Sequence, residues 1–325
     1  MAYHERTTDA ARGKWKGILL QLGVPGASLT GKHGPCPLCQ DGTDRFRFDN
    51  KDQRGTYICN TCGAGDGMKL ATGFTGKSFT VLAPQIDAML GNVKPDGPGR
   101  PTMSDDDRAK ALRAVWTATK PVEPGDLAHA YLTSRAVGEL IYPKALRFGV
   151  LTDGDGGMRP TLVAIVADQE GKPVTLHRTF LRPDGKAKAE MSSPRKIMPG
   201  ELPDRCAVRL SEFHGGALGI AEGIETAMSA SALYEMPVWA AINATMLAKW
   251  WPPEGCDEVA IFADNDAKFG GQAAAYALAH KLAVKGIAVT VHMPEAVGSD
   301  FNDVWLQGRG RRFVTENSHL ESTTP

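Results

Sequence analysis

Four of the six cysteines fall in two C-x2-C pairs, Cys36 with Cys39 and Cys59 with Cys62, separated by nineteen residues. Each pair turns two sulfurs toward one point, and the spacing is that of a structural zinc ribbon, one Zn2+ per chain. The segment between the pairs, DRFRFDNKDQRGTYIC, predicts a hairpin with NKDQRG as its turn and aromatic residues on both sides. Zinc would then join two turns that have little core of their own. His33, three residues before Cys36, reads as a bystander because four thiolates are already available. Cys206 and Cys256 stand alone and read as buried filler. The pairing suits a reducing compartment better than a disulfide framework.

A second set of chemically capable residues is acidic. Between residues 213 and 303 there are eleven acidic side chains against four basic ones, a net of −7. Glu222 ends the run LGIAEG, Asp264 and Asp266 end VAIFADND, and Asp300 and Asp303 lie in SDFNDVW just after AVTVHMPEAVG. If these runs are strands of one parallel sheet, the acids converge at its carboxyl edge and form an oxygen-rich pocket suited to Mg2+ or Mn2+. The plainer reading is that each acid caps the helix that follows it, Asp266 before GGQAAAYAL and Asp300 before FNDVWLQG. Three acidic strand ends in succession favour the metal reading.

The charge reverses just upstream: residues 172–212 hold nine basic side chains against five acidic, a net of +4. A basic stretch beside an acidic metal pocket fits nucleotidyl transfer, in which cations hold triphosphate and template backbone. A solvated sheet face would also be charged. In the cysteine module, Arg45, Arg47, Phe46, Phe48 and Tyr57 offer the mixture of guanidinium groups and rings that grips single strands. Equally, alternate residues of RFRF can pack inward as the hairpin's only core, with the arginines solvated.

Residues 71–78, ATGFTGKS, fit a relaxed phosphate-loop pattern with Ala71 in place of the first glycine. A working phosphate loop leaves a buried strand and opens a helix. Here a cysteine knuckle comes immediately before it, so Ser78 is read as a helix N-cap instead.

The elements that must position these groups are legible from periodicity. The chain has 325 residues, 42% hydrophobic and 23% charged, enough for two or three folded units. Its formal net charge is zero, so any nucleic-acid binding must come from local patterning. No apolar run approaches the ~20 residues of a membrane span, and the polar start MAYHERTTDAARGK is no secretory signal, which predicts a cytoplasmic protein that meets no membrane. Helical spacing runs over about 10–22, 78–90 with Pro84 inside it, DDRAKALRAVWTAT and LAHAYLTSRAV. LRFGV, TLVAIVAD and VTLHRTF predict a small, mostly antiparallel sheet. LGIAEG, VWAAIN, VAIFAD and AVTVHM alternate with helical stretches and predict a parallel sheet covered by helices. The reading is therefore an α+β multidomain chain. It comprises an N-terminal helix (1–30), zinc ribbon (31–75), helices and linker (76–125), basic mixed α/β lobe (126–212), C-terminal α/β domain with a mostly parallel sheet (213–310) and loose tail (311–325).

HGPCPLCQDGTDRFRF…TYICNTCGAGDGMKL resembles the zinc ribbon at the N-terminus of phage- and plasmid-type primase-helicases. LGIAEGIETAMSA, IFADND and SDFNDVW resemble the Glu, Asp-x-Asp and later acidic motifs of a Toprim domain, and TLHRTFLRPDGKAKAEMSSPRKIMPG the basic segment before it. The resemblance covers about 30–75 and 130–305. It implies a DNA primase that makes short RNA primers from nucleoside triphosphates on a single-stranded DNA template. Glu222 would be the acid/base residue, Asp264 and Asp266 the metal ligands with Asp300 and Asp303 beside them, and Arg178, Arg195 and Lys196 the nucleotide or template contacts. No helicase domain follows residue 310. The resemblance thus implies either a stand-alone primase served by a separate replicative helicase or the primase part of a longer chain. A Toprim metal-dependent nuclease and a non-catalytic module that binds single-stranded DNA are the alternatives.

Overall fold

Gly13 splits the N-terminal helical stretch into α1 (Thr7–Ala10) and α2 (Trp15–Gln21). Its positive φ of 75° lets its N–H reach Gln53 O at 2.8 Å, so the chain bonds to the ribbon turn rather than continuing as one helix. In this computed structural model, residues 7–96, 104–138, 142–154, 156–191, 193–198 and 202–308 are described. The expected tail at 311–325 and much of the expected linker lie outside them.

The ribbon is a three-stranded antiparallel sheet of β1 (Phe46–Phe48), β2 (Tyr57–Cys59) and β3 (Gly63–Gly65), followed by α3 (Gly67–Thr75) and α4 (Phe79–Met89). Strand alternation sends Phe46, Phe48 and Tyr57 inward, where they pack with Trp15, Ile18 and Leu70 in a separate small core. Trp15 lies flat over the backbone at Gly67, and a side chain at that position would collide with its ring. α4 runs unbroken through Pro84, and Ser78 is its N-cap by backbone conformation without a side-chain hydrogen bond. Residues 71–78 thus form a helix end, the Gly76 C-cap and a helix start, and no phosphate cradle.

The middle of the chain holds α5 (Asp105–Thr117), β4 (Lys120–Pro121), α6 (Leu127–Ser134), β5 (Leu146–Thr152), β6 (Met158–Ala167), β7 (Pro173–Phe180) and β8 (Arg195–Ile197). Its five strands form an antiparallel sheet in sequence order, the three long ones where alternation predicts them. β4 and β8, with two and three residues, carry no readable pattern.

The C-terminal part alternates β9 (Gly216–Ala221), α7 (Ile224–Tyr234), β10 (Val238–Ala240), α8 (Ala244–Lys249), β11 (Cys256–Phe262), α9 (Gly270–Val284), β12 (Ala288–His292) and α10 (Phe301–Gly308). All pairs are parallel, in the order β10-β9-β11-β12. Its apolar core is continuous with one face of the antiparallel sheet: Leu146, Leu162 and Ala164 pack in the same cluster as Leu218, Ile220 and Phe262. Asn302 stitches the two parts, its amide donating to Arg135 O at 2.7 Å and Ser229 Oγ at 2.9 Å. Cys206 is fully buried and Cys256 half-buried, both as free thiols. Among the described residues no helix is long and apolar enough to cross a membrane.

Candidate functional site

The strand order places a switch point between β9 and β11, because the chain leaves β9 toward β10 and returns on the other side at β11. In open α/β sheets ligands sit outside the carboxyl ends of the strands at that point. Ala221 pairs with Phe262, so Glu222 and Asp264 emerge side by side there. Burial raises the Glu222 carboxyl above its ordinary range, with Arg195 pulling the other way and Asp266 adding to the rise. Burial, then the charges of Glu222, Asp300 and Asp266, push Asp264 up to about 8. Asp264 Oδ1 is buried with no hydrogen-bond partner.

The segment carrying these acids is held rigidly. Asn265 N–H donates to Ser299 O at 3.0 Å and its amide to Pro294 O at 2.9 Å, while Gln272 Nε2 donates to Asn265 Oδ1 and Asp266 O, each at 2.9 Å. Gly271 allows α9 to begin against this loop, since a Cβ there would stand 2.7 Å from Asp264 O. Asp266, at the exposed rim, accepts from Gly271 N at 2.8 Å. Asp300 and Asp303 cap α10 reciprocally: Asp303 N–H donates to Asp300 Oδ1 at 2.9 Å and Asp300 N–H to Asp303 Oδ2 at 3.2 Å. The capping reading therefore describes part of what Asp266, Asp300 and Asp303 do. It leaves Asp264 and Glu222 unexplained.

An unpartnered, buried carboxylate oxygen among like charges is costly, and a divalent cation relieves it. The donor set is all oxygen, as Mg2+ and Mn2+ prefer, and Mg2+ commonly takes one or two carboxylates with water and substrate phosphate completing its shell. The residues fit such an ion in donor chemistry, Asp264 and Glu222 first, with the charges of Asp266 and Asp300 felt at Asp264, although among the described residues only the cysteine cluster already gathers three or more ligand atoms.

The zinc site is tighter. The sulfurs of Cys36, Cys39, Cys59 and Cys62 all lie within 4.8 Å of one another. Cys36 to Cys62 spans 3.8 Å and Cys39 to Cys59 4.0 Å. Tetrahedral zinc with bonds of about 2.3 Å puts its sulfurs roughly 3.8 Å apart. Backbone N–H groups of Leu38, Thr61 and Cys62 point at sulfur at 3.3–3.4 Å and favour the thiolate form. Burial pushes the Cys36 thiol up to about 11, so the cluster needs a cation to hold four thiolates. His33 turns toward Asp44 and Arg47 and is no ligand.

Three expected nucleic-acid or nucleotide contacts are placed otherwise. Phe46 is 1% exposed and stacks on Tyr57 with ring centroids 5.5 Å apart, so its ring is core and no base reaches it. Arg195 pairs with Thr179 across the sheet, on the face shared with Leu162 and the C-terminal core. Arg178 and Lys196 pair with each other on the opposite face, where both cations lie over Phe180 and Lys196 Nζ donates to Asp153 O at 2.8 Å. Only Arg195 of the three acts on Glu222 and Asp264. Arg47 lies on the ribbon's outer face near Asp49. Arg45 is bound to Asp41 at 3.1 Å and Thr61 Oγ1 at 2.8 Å, close enough to the acidic edge to lower Glu222. Asp41 also meets Lys268 of the acidic loop at 2.8 Å, which joins the ribbon to that edge.

The sequence reading passed over Glu225. It is 6% exposed on α7, accepts a hydrogen bond from Tyr131 Oη and pairs with Lys188 Nζ at 3.2 Å. The available signal was a lone acid in the otherwise small and apolar helix IETAMSASALY.

Three stretches of the chain match known family models. Residues 31–68 match the zinc-binding domain of primase-helicase, residues 217–310 a Toprim domain, and residues 106–210 a domain of unknown function, DUF7146. The chain thus joins a primase-type zinc ribbon to a Toprim domain. Among solved structures it is similar to the primase fragment of the bacteriophage T7 primase-helicase protein, at 16% identity over 86% of this chain and 96% of that one, with a TM-score of 0.40. It is also similar to the zinc-binding and RNA polymerase domains of the Aquifex aeolicus primase, at 15% identity over 93% and 82%, with a TM-score of 0.35.

Proposed function

We propose that the chain is a DNA primase, a cytoplasmic nucleotidyltransferase that joins ribonucleotides into short RNA primers on single-stranded DNA during replication of a phage, plasmid or other mobile element. The observation that carries this reading is Asp264: a half-buried carboxylate whose Oδ1 is buried without a partner, beside Glu222 at the switch point, on a hydrogen-bonded loop tied to a zinc ribbon. When bound, Mg2+ or Mn2+ polarises the phosphoryl oxygens and lowers the pKa of the attacking hydroxyl. Glu222 takes the proton of the 3′-hydroxyl as its oxygen bonds to the α-phosphorus and the bond to pyrophosphate breaks. Arg195 faces the negative charge that gathers on the phosphoryl oxygens. Asn265 and Gln272 keep the Asp264 loop from rearranging during the step. Template binding draws on the ribbon's Arg45 and Arg47, and a replicative helicase supplies the unwound strand.

The test is a priming assay on mixed-sequence single-stranded DNA with labelled nucleoside triphosphates and magnesium. Short labelled oligomers that resist DNase and are destroyed by alkali support the reading. Shortened template with no oligomers would replace it with a metal-dependent nuclease, and neither product would leave a DNA-binding module.

A further inference from the structure

Glu225 lies three residues after Glu222, in the first turn of α7, and is buried against a different set of partners. Tyr131 comes from α6 and Lys188 from the loop after β7, so a single carboxylate gathers two elements of the antiparallel part, and the charge of Arg195 on β8 acts on it as well. Burial alone would raise it, but Lys188 and Arg195 hold it down at about 2, so it stays an anion inside the molecule. A buried ion pair is a poor device for stability, because well-packed apolar groups of the same volume usually serve as well or better. Its position suggests another use. Arg195, which acts on Glu225, is also the first positive charge felt by both Glu222 and Asp264. Lys188 is mostly buried along its stem, with 29% of its side chain exposed. His177, on the same sheet face as Arg195, is 5% exposed and kept neutral, since burial and then Arg195 take it down to about 4. Lys188 is therefore tied to Glu225 by an ion pair, while Arg195 acts on the same carboxylate through its charge.

We propose that Glu225 is a positioning residue that holds Lys188 beside Arg195 at the rim of the acidic edge, where the two cations receive the β- and γ-phosphates of an incoming nucleoside triphosphate. The assignment rests on the primase reading only in taking that triphosphate as ligand. A long cation tethered to an internal carboxylate loses less freedom on meeting phosphate than a free surface side chain does. Glu225→Gln keeps the shape and an acceptor for Tyr131 but removes the charge.

The experiment measures equilibrium binding of magnesium-ATP and of AMP by calorimetry, and steady-state priming, for wild type, Glu225→Gln, Lys188→Met and the double variant. Expected are a roughly tenfold loss of ATP affinity and rise in KM for either single change, AMP binding and kcat within about twofold, and a double variant no worse than the singles because they share one interaction. Lys188→Met keeps the test open should Glu225→Gln fold poorly. ATP affinity and KM within twofold of wild type in Lys188→Met, or a loss that falls on kcat alone, overturns the assignment. Wild type that binds ATP far more tightly than AMP, with loss in both variants, but makes no oligomers sinks the primase reading and leaves this assignment standing. Oligomer synthesis that neither variant perturbs does the reverse.

Discussion

The zinc ribbon and the acidic strand edge are both clusters of metal-binding side chains, yet they are built on opposite principles. In the ribbon, four sulfurs already lie within 4.8 Å around one point, and the three short strands themselves give the core behind them only Phe46, Phe48, Tyr57 and Cys59. At the acidic edge, a well-packed parallel sheet fixes the backbone, while the carboxylates of Asp266, Asp300 and Asp303 bond to helix caps and Asp264 Oδ1 bonds to no protein group. A ribbon folds because of its ion; a Toprim edge folds first and then offers an ion an incomplete shell, which substrate can finish. That contrast separates a structural metal from a catalytic one.

The largest effect that would break the comparison is loss of zinc. Cys59→Ser or strong chelation should release zinc and unfold residues 15–86, since zinc is worth about 10 kcal/mol or more in such modules. Hydrogen exchange should show loss of protection there and intact protection in the parallel sheet; protection retained in both would refute the contrast. Asp264→Asn should behave in the opposite way. Priming should fall at least about a hundredfold, whereas the melting temperature without divalent ions should hold or rise, because the variant removes a carboxyl buried among like charges. A melting temperature several degrees lower would make Asp264 a structural group.

The pH dependence sharpens the same point. Asp264, with a folded pKa of about 8 against 3.8 ordinarily, binds more protons in the folded than in the unfolded state between those values, so metal-free stability from this group declines as pH rises through that window. Added Mg2+ should therefore raise the melting temperature more at pH 8.5 than at pH 6, and an equal shift at both would contradict the assignment. Glu225 has the other sign. Its folded pKa is about 2 against 4.5 ordinarily, so its contribution is complete above about 4.5 and is lost as pH falls toward 2. Acid titration of Glu225→Gln should lack that component.

Smaller effects test single contacts. Gly67→Ala forces a methyl into the Trp15 ring and should cost the ribbon about 1–3 kcal/mol. Asp303→Ala removes one arm of the α10 capping box and should cost about 1 kcal/mol with little change in activity. A loss of activity beyond about tenfold would put Asp303 among the metal's ligands instead.

Much of this was legible in the residues. The cysteine spacing encodes the ribbon because its geometry is local, and the four parallel strands announce themselves as short apolar runs, two of which, β9 and β11, run directly into acids. What the sequence hid was tertiary or too short to carry a pattern. Three-residue β8 gives no alternation to read, so Arg195 and Lys196 stood as one basic patch until the register sent them to opposite faces. The same alternation, applied to RFRF, decides between core and stacking surface, but only once the inward side is known; Phe46 proved to be core. Tyr131 and Glu225 are 94 residues apart, and no spacing within either segment links them.

The most direct measurement is Mn2+ binding followed by electron paramagnetic resonance in the zinc-loaded protein, wild type against Asp264→Asn, with Mg2+ as competitor. The account predicts a Mn2+ site that Mg2+ displaces, weakened at least about tenfold by the substitution while zinc stays at one per chain. Mn2+ affinity unchanged in Asp264→Asn would contradict it, because the acidic edge would then be a set of helix caps and nothing more.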